Sequence, residues 1–261
     1  MRIALIGDIH ANLPALEAVL AHADSHDVEA IWHVGDFVGY GAFPDEVVRL
    51  LRKRDDVLSI VGNYDLKVLR FKKKKDKWRK TKQPEKYRAF EWAYENLSKK
   101  SRKYLRFLSQ ELRLKVKGRR ILLTHGSPAS DEEPITADTT EKRLSDLAHE
   151  AKADIIISGH AHQALVRKVD DVWFINTGSV GRPDDGDPRA CYAILEINSD
   201  QIEVNHYRVA YDVDRMVAAI QEHSLPEVFA QMFIQGRSLD AVLEAAADID
   251  PDRLRSAASE V

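Results

Sequence analysis

Cysteine is almost missing from this chain: Cys191 is the one thiol in 261 residues. A lone cysteine forms no intrachain disulfide, which excludes a disulfide-stapled scaffold and fits a reducing compartment. Cys191 precedes the apolar "YAILEI" and reads as a buried strand residue. Long apolar runs are missing as well, and none approaches the ~18 residues that would cross a bilayer. The opening "IALIG" runs straight into Asp8, too short for the apolar region of a signal peptide and without a small-residue cleavage site. These absences together give the expectation of a cytoplasmic protein with no membrane partner. There is no internal repeat, low-complexity tract or flexible linker, and no overall excess of one charge: 31% of residues are charged, yet the net charge is −3. That balance belongs to a globular protein.

What is present begins with 44% hydrophobic residues, enough for a sizeable core. Charge is uneven locally. Residues 67–88 hold twelve Lys or Arg against Asp76 and Glu85, a local charge of +10; with the whole chain at −3, the rest carries −13.

The first third alternates strands and helices in a βαβαβ pattern. "RIALIG" reads as a strand, and "NLPALEAVLAHADSH" sets Leu13, Leu16, Val19, Leu20 and Ala23 at helical spacing, with Asn12 as cap and Pro14 in the first turn. "AIWHVG", "FPDEVVRLLRKR" and "VLSIVG" continue as strand, helix and strand. Near-continuous apolar strands separated by helices require a sheet covered on both faces, an α/β fold. Residues 66–110 interrupt this rhythm with the basic segment and two helices, at roughly 83–98 and 101–110. Phe90, Ala93, Tyr94 and Leu97 form a core-facing stripe there. "LRLKV" and "RILLTH" then pair through Lys117-Gly118. A helix at about 139–152 leads into "DIIISGH", and two antiparallel pairs turn at Asp170-Asp171 and at Asn198-Ser199-Asp200. From Asp212 onward the chain reads as helices, with Gly236 a natural stop. The expected organisation is one unit over 1–261: a core at 1–210 containing the basic helical insertion at about 66–110, and a helical extension at 211–261.

Five apolar strands end, at or within two residues of their tips, on a metal-ligand type: Asp8, Asp36, Asn63, His125 and His160. In four of the five a glycine comes immediately before the ligand. Open α/β sheets place their functional crevice beyond the carboxyl ends of their strands, so these side chains should converge. His10 in "DIH" and His162 in "GHAH" lie two residues beyond the first and last of them. Seven oxygen and imidazole donors without a thiolate are too many for one tetrahedral zinc and suit two divalent ions sharing a carboxylate. Paired ions of that kind recur in phosphoryl chemistry. His33, inside a strand, is expected to pack, and His22, His26, His149 and His223 to lie on the surface.

In this order "GDIHAN", "GDFVGYG", "GNYD", "THG" and "GHAH" resemble the calcineurin-like metallophosphoesterases. "GDIHANLPALEAVL" with "NTGSVGRP" is similar to their small bacterial and archaeal phosphodiesterase branch, and the motifs span residues 7–183. The resemblance implies a four-layer α/β/β/α sandwich with two central mixed sheets, followed here by C-terminal helices. It implies one ion held by Asp8, His10 and His162, a second by Asn63, His125 and His160, and Asp36 bridging. Mn²⁺ is the expected metal, with Fe and Zn²⁺ as alternatives. A hydroxide between the ions, acidified by two positive charges, would attack phosphorus in line.

Most of that family carries "GNH" followed by Asp or Glu, with the histidine protonating the leaving group or stabilising the transition state. Here Tyr64 replaces it, while Asp65 keeps the acidic position. A phenol with an ordinary pKa near 10 is a poorer acid than imidazolium. Tyr64 and Asp65 remain the catalytic candidates, and Asn12 and Arg182 the substrate-binding ones. Arg182 offers a bidentate phosphate clamp, whereas capping the following helix explains Asn12 equally well. The run "KVLRFKKKKDKWRKTK" is either a solvated segment or an electrostatic guide for a nucleotide or nucleic acid, with Lys72 to Lys75 at its centre and Trp78 able to stack on a base. The expected activity is that of a phosphodiesterase or nucleotide-polyphosphate hydrolase. A non-catalytic interaction scaffold, as in the retromer subunit of this fold, and a nuclease are the alternatives. The oligomeric state is open.

Overall fold

Alternation along the strands decides the layers. In the computed structural model, which describes residues 1–198 and 201–249, successive strand residues point into different cores. The chain runs β1 (Arg2–Ile6), α1 (Leu13–Asp24), β2 (Ala30–His33), α2 (Pro44–Arg52), β3 (Val57–Ser59), α3 (Asn63–Thr81), α4 (Pro84–Asn96), α5 (Lys99–Phe107), β4 (Glu111–Val116) and β5 (Arg119–Thr124). It continues α6 (Glu141–Ala151), β6 (Ile155–Ser158), β7 (Ala164–Val169), β8 (Val172–Thr177), β9 (Ala190–Ile197), β10 (Ile202–Val209), α7 (Val213–Glu222), α8 (Glu227–Gln235) and α9 (Leu239–Ile249).

Two five-stranded sheets result, in the orders β10-β9-β1-β2-β3 and β4-β5-β6-β8-β7. Both are mixed: β1, β2 and β3 are parallel, as are β5, β6 and β8, and antiparallel strands complete each sheet. Ile3 and Leu5 of β1, Ile121 and Leu123 of β5, Ile155 and Ile157 of β6, and Leu195 and Ile197 of β9 meet between the sheets. Their neighbours Ala4, Ile6 and Ile194 face the other way, onto α1, α2 and the α3–α5 insertion. Leu122, Ile156 and Phe174 face α6 through Leu144, Leu147 and Ala151. The order is therefore helix, sheet, sheet, helix, the α/β sandwich that the resemblance implies. A further cluster joins Met216, Ile220, Phe229, Phe233 and Leu239 of the C-terminal helices to Tyr40, Ala42 and Ala89.

Local chemistry places the ends. Asn12 caps α1, its Oδ1 accepting the Ala15 N–H at 3.1 Å. Lys117-Gly118 turns the β4–β5 hairpin, and Cys191 is buried in β9. The basic segment is itself a helix: α3 starts at Asn63 and carries its lysines away from the sheets. The helix expected at 101–110 starts earlier, because Ser98 accepts the Ser101 N–H and sets the first turn at Lys99. Ser199-Asp200 in the last hairpin and positions 250–261 of the helical extension lie outside the described residues. Among the described residues no helix is long and apolar enough to cross a membrane.

Leu5 is fully buried between the sheets, whereas Leu58 is 43% exposed. Leu5→Ala should destabilise the fold by about 2–5 kcal/mol and Leu58→Ala by no more than about 0.5 kcal/mol, read as shifts in the urea midpoint. Equal midpoints for the two variants would contradict the layer assignment.

Candidate metal centre

The parallel strands of both sheets deliver their C-terminal tips to one place. β1, β2 and β3 bring Asp8, Asp36 and Asn63 from the first sheet, and β5 and β6 bring His125 and His160 from the second. His10 and His162 follow on the loops; Asp8, His10, Asp36, His125 and His162 come together, His160 stands beside His125 at a ring separation of 5.1 Å, and Asn63 opens α3 next to the Tyr64 N–H that Asp36 accepts. Asp8, His10 and His162 form one group of potential ligands and Asp8, Asp36 and His125 another, the donor atoms of each lying within 4.8 Å of one another. His10 Nε2 is 3.1 Å from His162 Nε2 and 3.8 Å from Asp36 Oδ2. Asp8 Oδ1 is 3.3 Å from His162 Nε2, and Asp36 Oδ2 is 3.4 Å from His125 Nε2. Donors about 2.1 Å from a shared cation stand about 3–3.5 Å apart, so the spacing fits such an ion.

Backbone and glycine chemistry make this crowding feasible. Asp8, His10, Asp36, His160 and His162 all take left-handed φ values, between 49° and 64°. Asp and His enter that region more readily than most residues but still at a cost, and such strain concentrates at functional sites. A Cβ on Gly62 would lie 2.2 Å from Asp36 Oδ1, and one on Gly159 2.4 Å from Asp8 Oδ2. Gly62 and Gly159 thus leave room for the carboxylates of neighbouring loops.

The ligands are aimed by hydrogen bonds on their far sides. His125 Nδ1–H donates to the Val34 carbonyl at 2.9 Å and His162 Nδ1–H to the Arg182 carbonyl at 2.7 Å, turning both Nε2 atoms inward. His160 uses the opposite nitrogen, its Nε2–H donating to the Glu132 carbonyl at 3.2 Å. Asp8 Oδ2 accepts the His160 N–H at 2.9 Å and Asp36 Oδ1 the Tyr64 N–H at 2.8 Å. Asp8 Oδ1, His10 Nδ1, Asn63 Oδ1 and His125 Nε2 are buried without a hydrogen-bonding partner. Buried polar atoms are nearly always paired, so this set of oxygen and nitrogen orphans fits divalent cations.

Charge follows the same logic. Burial alone would raise Asp8 and Asp36, but the surrounding imidazoles overrule it, holding Asp8 far below the carboxylate range and Asp36 at about 2. Burial lowers His10, with Arg182 acting in the same direction, and lowers His160, aided by His125. Burial also tends to lower His125, yet the carboxylates of Asp36 and Asp8 raise it to about 10. Burial holds His33, which packs on Phe37 at a ring separation of 4.0 Å, at about 3.

The other candidates fall into two groups. Asp65 is buried, and its carboxylate accepts the N–H groups of Gly62 at 3.0 Å, Asp36 at 3.1 Å and Val38 at 3.1 Å. It ties the Asp36 loop to the start of α3. Asn12 is occupied as a cap on one side and donates Nδ2–H to the Gly181 carbonyl at 2.8 Å on the other. Tyr64 and Arg182, by contrast, line the cluster. The Tyr64 ring stands edge-on to His10 at 5.2 Å, and its hydroxyl shares a 2.7 Å hydrogen bond with Tyr40. Burial and the neighbouring Tyr40 raise the Tyr64 pKa well above 10, against the opposing charge of Arg182. The Arg182 guanidinium lies 4.9 Å over the Tyr40 ring, 3.4 Å from His162 Nε2, with its Nε unpartnered. Sequence reasoning missed Tyr40, although it sits inside "GDFVGYG". It also missed Glu132 and Phe229, which packs on Tyr40 at 5.4 Å; neither carries a motif.

Since His125 Nδ1–H is committed to Val34, the proton that its raised pKa retains sits on Nε2, where a cation would bind. Mn²⁺ binding to the metal-free protein should therefore release roughly one proton per molecule, and affinity should rise between about pH 6 and about pH 8. Calorimetry in buffers of different ionisation enthalpy reads this directly, and a buffer-independent heat would contradict it.

The model of the calcineurin-like phosphoesterase superfamily domain matches residues 1–200. An uncharacterised protein of Methanocaldococcus jannaschii is 32% identical over 254 residues, covering 90% of this chain and 98% of its own. The crystal structure of a metallophosphoesterase from Sphaerobacter thermophilus is similar at 30% identity and a TM-score of 0.75, covering 90% of this chain and 99% of that one. A hypothetical protein from Pyrococcus horikoshii shares the fold at 22% identity and a TM-score of 0.81, over 90% and 98% of the two chains. This chain belongs to the calcineurin-like phosphoesterase superfamily.

Proposed function

We propose that the protein is a phosphohydrolase dependent on two divalent ions, and that it acts on phosphodiesters or phosphoanhydrides whose leaving group departs as an anion. The observation that carries this reading is the gathering of six buried donors, four of them with orphaned atoms, and the half-buried His160 beside an arginine and a phenol. In this proposal Asp8, His10 and His162 hold one ion and Asn63, His125 and His160 the other, with Asp36 between them; Mn²⁺ is the preferred metal. The ions, when bound, would acidify a water and neutralise phosphate oxygens.

The chain's own groups do the rest. Arg182 donates to phosphate oxygens from the His162 side and fixes the substrate's orientation. Tyr64, neutral at physiological pH, donates a hydrogen bond but has little tendency to give up its proton. Asp65 acts by position: with its oxygens occupied by backbone N–H groups, it holds Asp36 and the first turn of α3 in register. Asn12 likewise holds the Gly181 loop from which Arg182 projects. A scaffold without catalysis would have little physical reason to maintain five strained ligand positions.

Absence of a general acid typically costs roughly 10²- to 10⁴-fold, and the loss falls mainly on leaving groups that need a proton. The Mn²⁺-loaded protein should therefore have a higher kcat/KM for a diester than for a monoester of the same phenol. Tyr64→His should raise the rate on an alkyl ester more than on a phenyl ester. A clear monoester preference would count against this role for Tyr64, and inactivity on every ester with metal bound would remove the hydrolase reading.

A further inference from the structure

Beside the metal centre runs a row of aromatic rings that the reaction as described does not use. Tyr40 and Tyr64 both touch His10, with centroids at 6.0 and 5.2 Å. From there Tyr40–Tyr64, Tyr64–Phe90 and Phe90–Trp78 follow at 5.5, 5.2 and 5.5 Å. Each step of the row carries a cation. Arg182 lies 4.9 Å over Tyr40, Lys67 5.1 Å over Tyr64, and Lys82 5.3 Å over Trp78 and 5.6 Å over Phe90. Rings hold cations in this way without neutralising them.

These cations differ from the rest of the basic segment. Lys72 to Lys75 are exposed on α3, whereas Lys67 and Lys82 are half-buried. Lys86 is paired with Asp240 at 3.0 Å. Lys67 meets Glu132 at 2.8 Å, but among the described residues the Lys82 ammonium makes no ion pair. Burial and the charge of Lys67, with a smaller contribution from Lys86, lower its pKa against the opposing charge of Glu132, so the ammonium is drawn close to other cations without an anion in direct contact. Arg182, at the other end, also lacks a carboxylate partner. A row of cations that runs out from the candidate metal centre, with Lys82 and Arg182 free of ion pairs, suits an anion.

Two features say which anion. A nucleic-acid strand would bind by stacking bases on aromatic faces, but these faces are already covered by Arg182, Lys67 and Lys82. Tyr64, standing where an acid is needed for an alkoxide, suits a leaving group that departs charged. We propose that the row is a subsite for the leaving phosphates of a phosphoanhydride, of the nucleoside-polyphosphate class. The attacked phosphorus would sit at the metal centre beside Arg182, and the departing phosphates would lie along Lys67 and Lys82. In the step itself a water oxygen bonds to phosphorus and the bridging P–O bond breaks. Its electron pair stays on the leaving phosphate, which Lys67 and Lys82 stabilise, and the water's proton is released to solvent. This assignment rests on the hydrolase reading above and specifies its substrate.

The test uses the full-length Mn²⁺-loaded protein with a dinucleoside tetraphosphate, with bis(p-nitrophenyl) phosphate, whose leaving group carries no phosphate, and with a methylene-bridged, uncleavable triphosphate as a binding probe. Lys82→Gln should lower the ratio of kcat/KM on the tetraphosphate to that on the diester by about 10-fold or more, the scale of one charged contact. It should weaken the probe's Kd similarly and flatten its salt dependence. Lys67→Gln should act in the same direction, while Lys100→Gln, a distant surface change, should leave the ratio and the Kd as they are. An unchanged ratio and Kd in both variants would overturn the subsite, as would loss of oligonucleotide binding with the probe unaffected. If the diester is cut and the tetraphosphate is not, the subsite fails while the hydrolase reading stands. If neither is cut with metal bound, the hydrolase reading fails, and an unaltered probe Kd in Lys82→Gln would then remove the subsite as well.

Discussion

Asp8 and Asp36 are buried to the last few per cent of their surface, and a carboxylate removed from water is costly unless positive charge or hydrogen-bond donors stand beside it. Much of the chain's local structure answers that requirement. His10, His125 and His162 crowd around the two carboxylates, and backbone N–H groups of His160 and Tyr64 take up the oxygens that face away from the cluster. To bring the groups so close, five of the seven donors adopt left-handed backbone, and Gly62 and Gly159 leave room where a methyl group would strike an oxygen. The remaining lone pairs stand at spacings that suit divalent cations. The two sheets are joined here as well as through their apolar core, since His125 from the second sheet donates to Val34 beside the first.

Asp65 shows how one side chain supports this arrangement without facing it. With three backbone N–H groups on its oxygens, it fastens the Asp36 loop to the first turn of α3, and so determines where Asn63 and Tyr64 begin their helix. From Tyr64 the chain of contacts goes outward through Tyr40 to Phe229 on α8. The C-terminal helices therefore press on the wall of the metal centre. They join the insertion of α3 to α5 in giving the candidate metal centre a tyrosine-lined side.

Much of this was legible in the sequence. Strand alternation, as at Ile3/Ala4/Leu5/Ile6, reports which face of a sheet each residue occupies, because successive side chains point to opposite sides whatever the strand's partner. The five strand-terminal donor residues and the glycines ahead of four of them were legible for the same local reason: a tight exit from a strand leaves its mark in residue type. The extent of α3 was not, since a run of lysines is compatible with helix or loop until Val68 and Phe71 find a surface to bury against. Asn12 and Asp65 looked alike as candidate site residues, and only their hydrogen-bond partners separated them from Tyr64 and Arg182.

By itself the sequence determined an α/β class with covered sheets and seven donor-type residues at and just beyond strand ends, which depend on residue type and short-range spacing; the four-layer sandwich and the contrast between phenol and imidazole at position 64 came from the resemblance. Tertiary structure alone decided that Asp65 and Asn12 spend their polar atoms on backbone. It also decided that Tyr40, Tyr64, Phe90 and Trp78 form a row, and that Lys82 reaches that row while Lys72 to Lys75 do not. The physical reason is that these outcomes depend on contacts between segments far apart in the chain, such as Gly181 with Asn12 or Phe229 with Tyr40, and no local pattern of residues records which distant surface a side chain will meet.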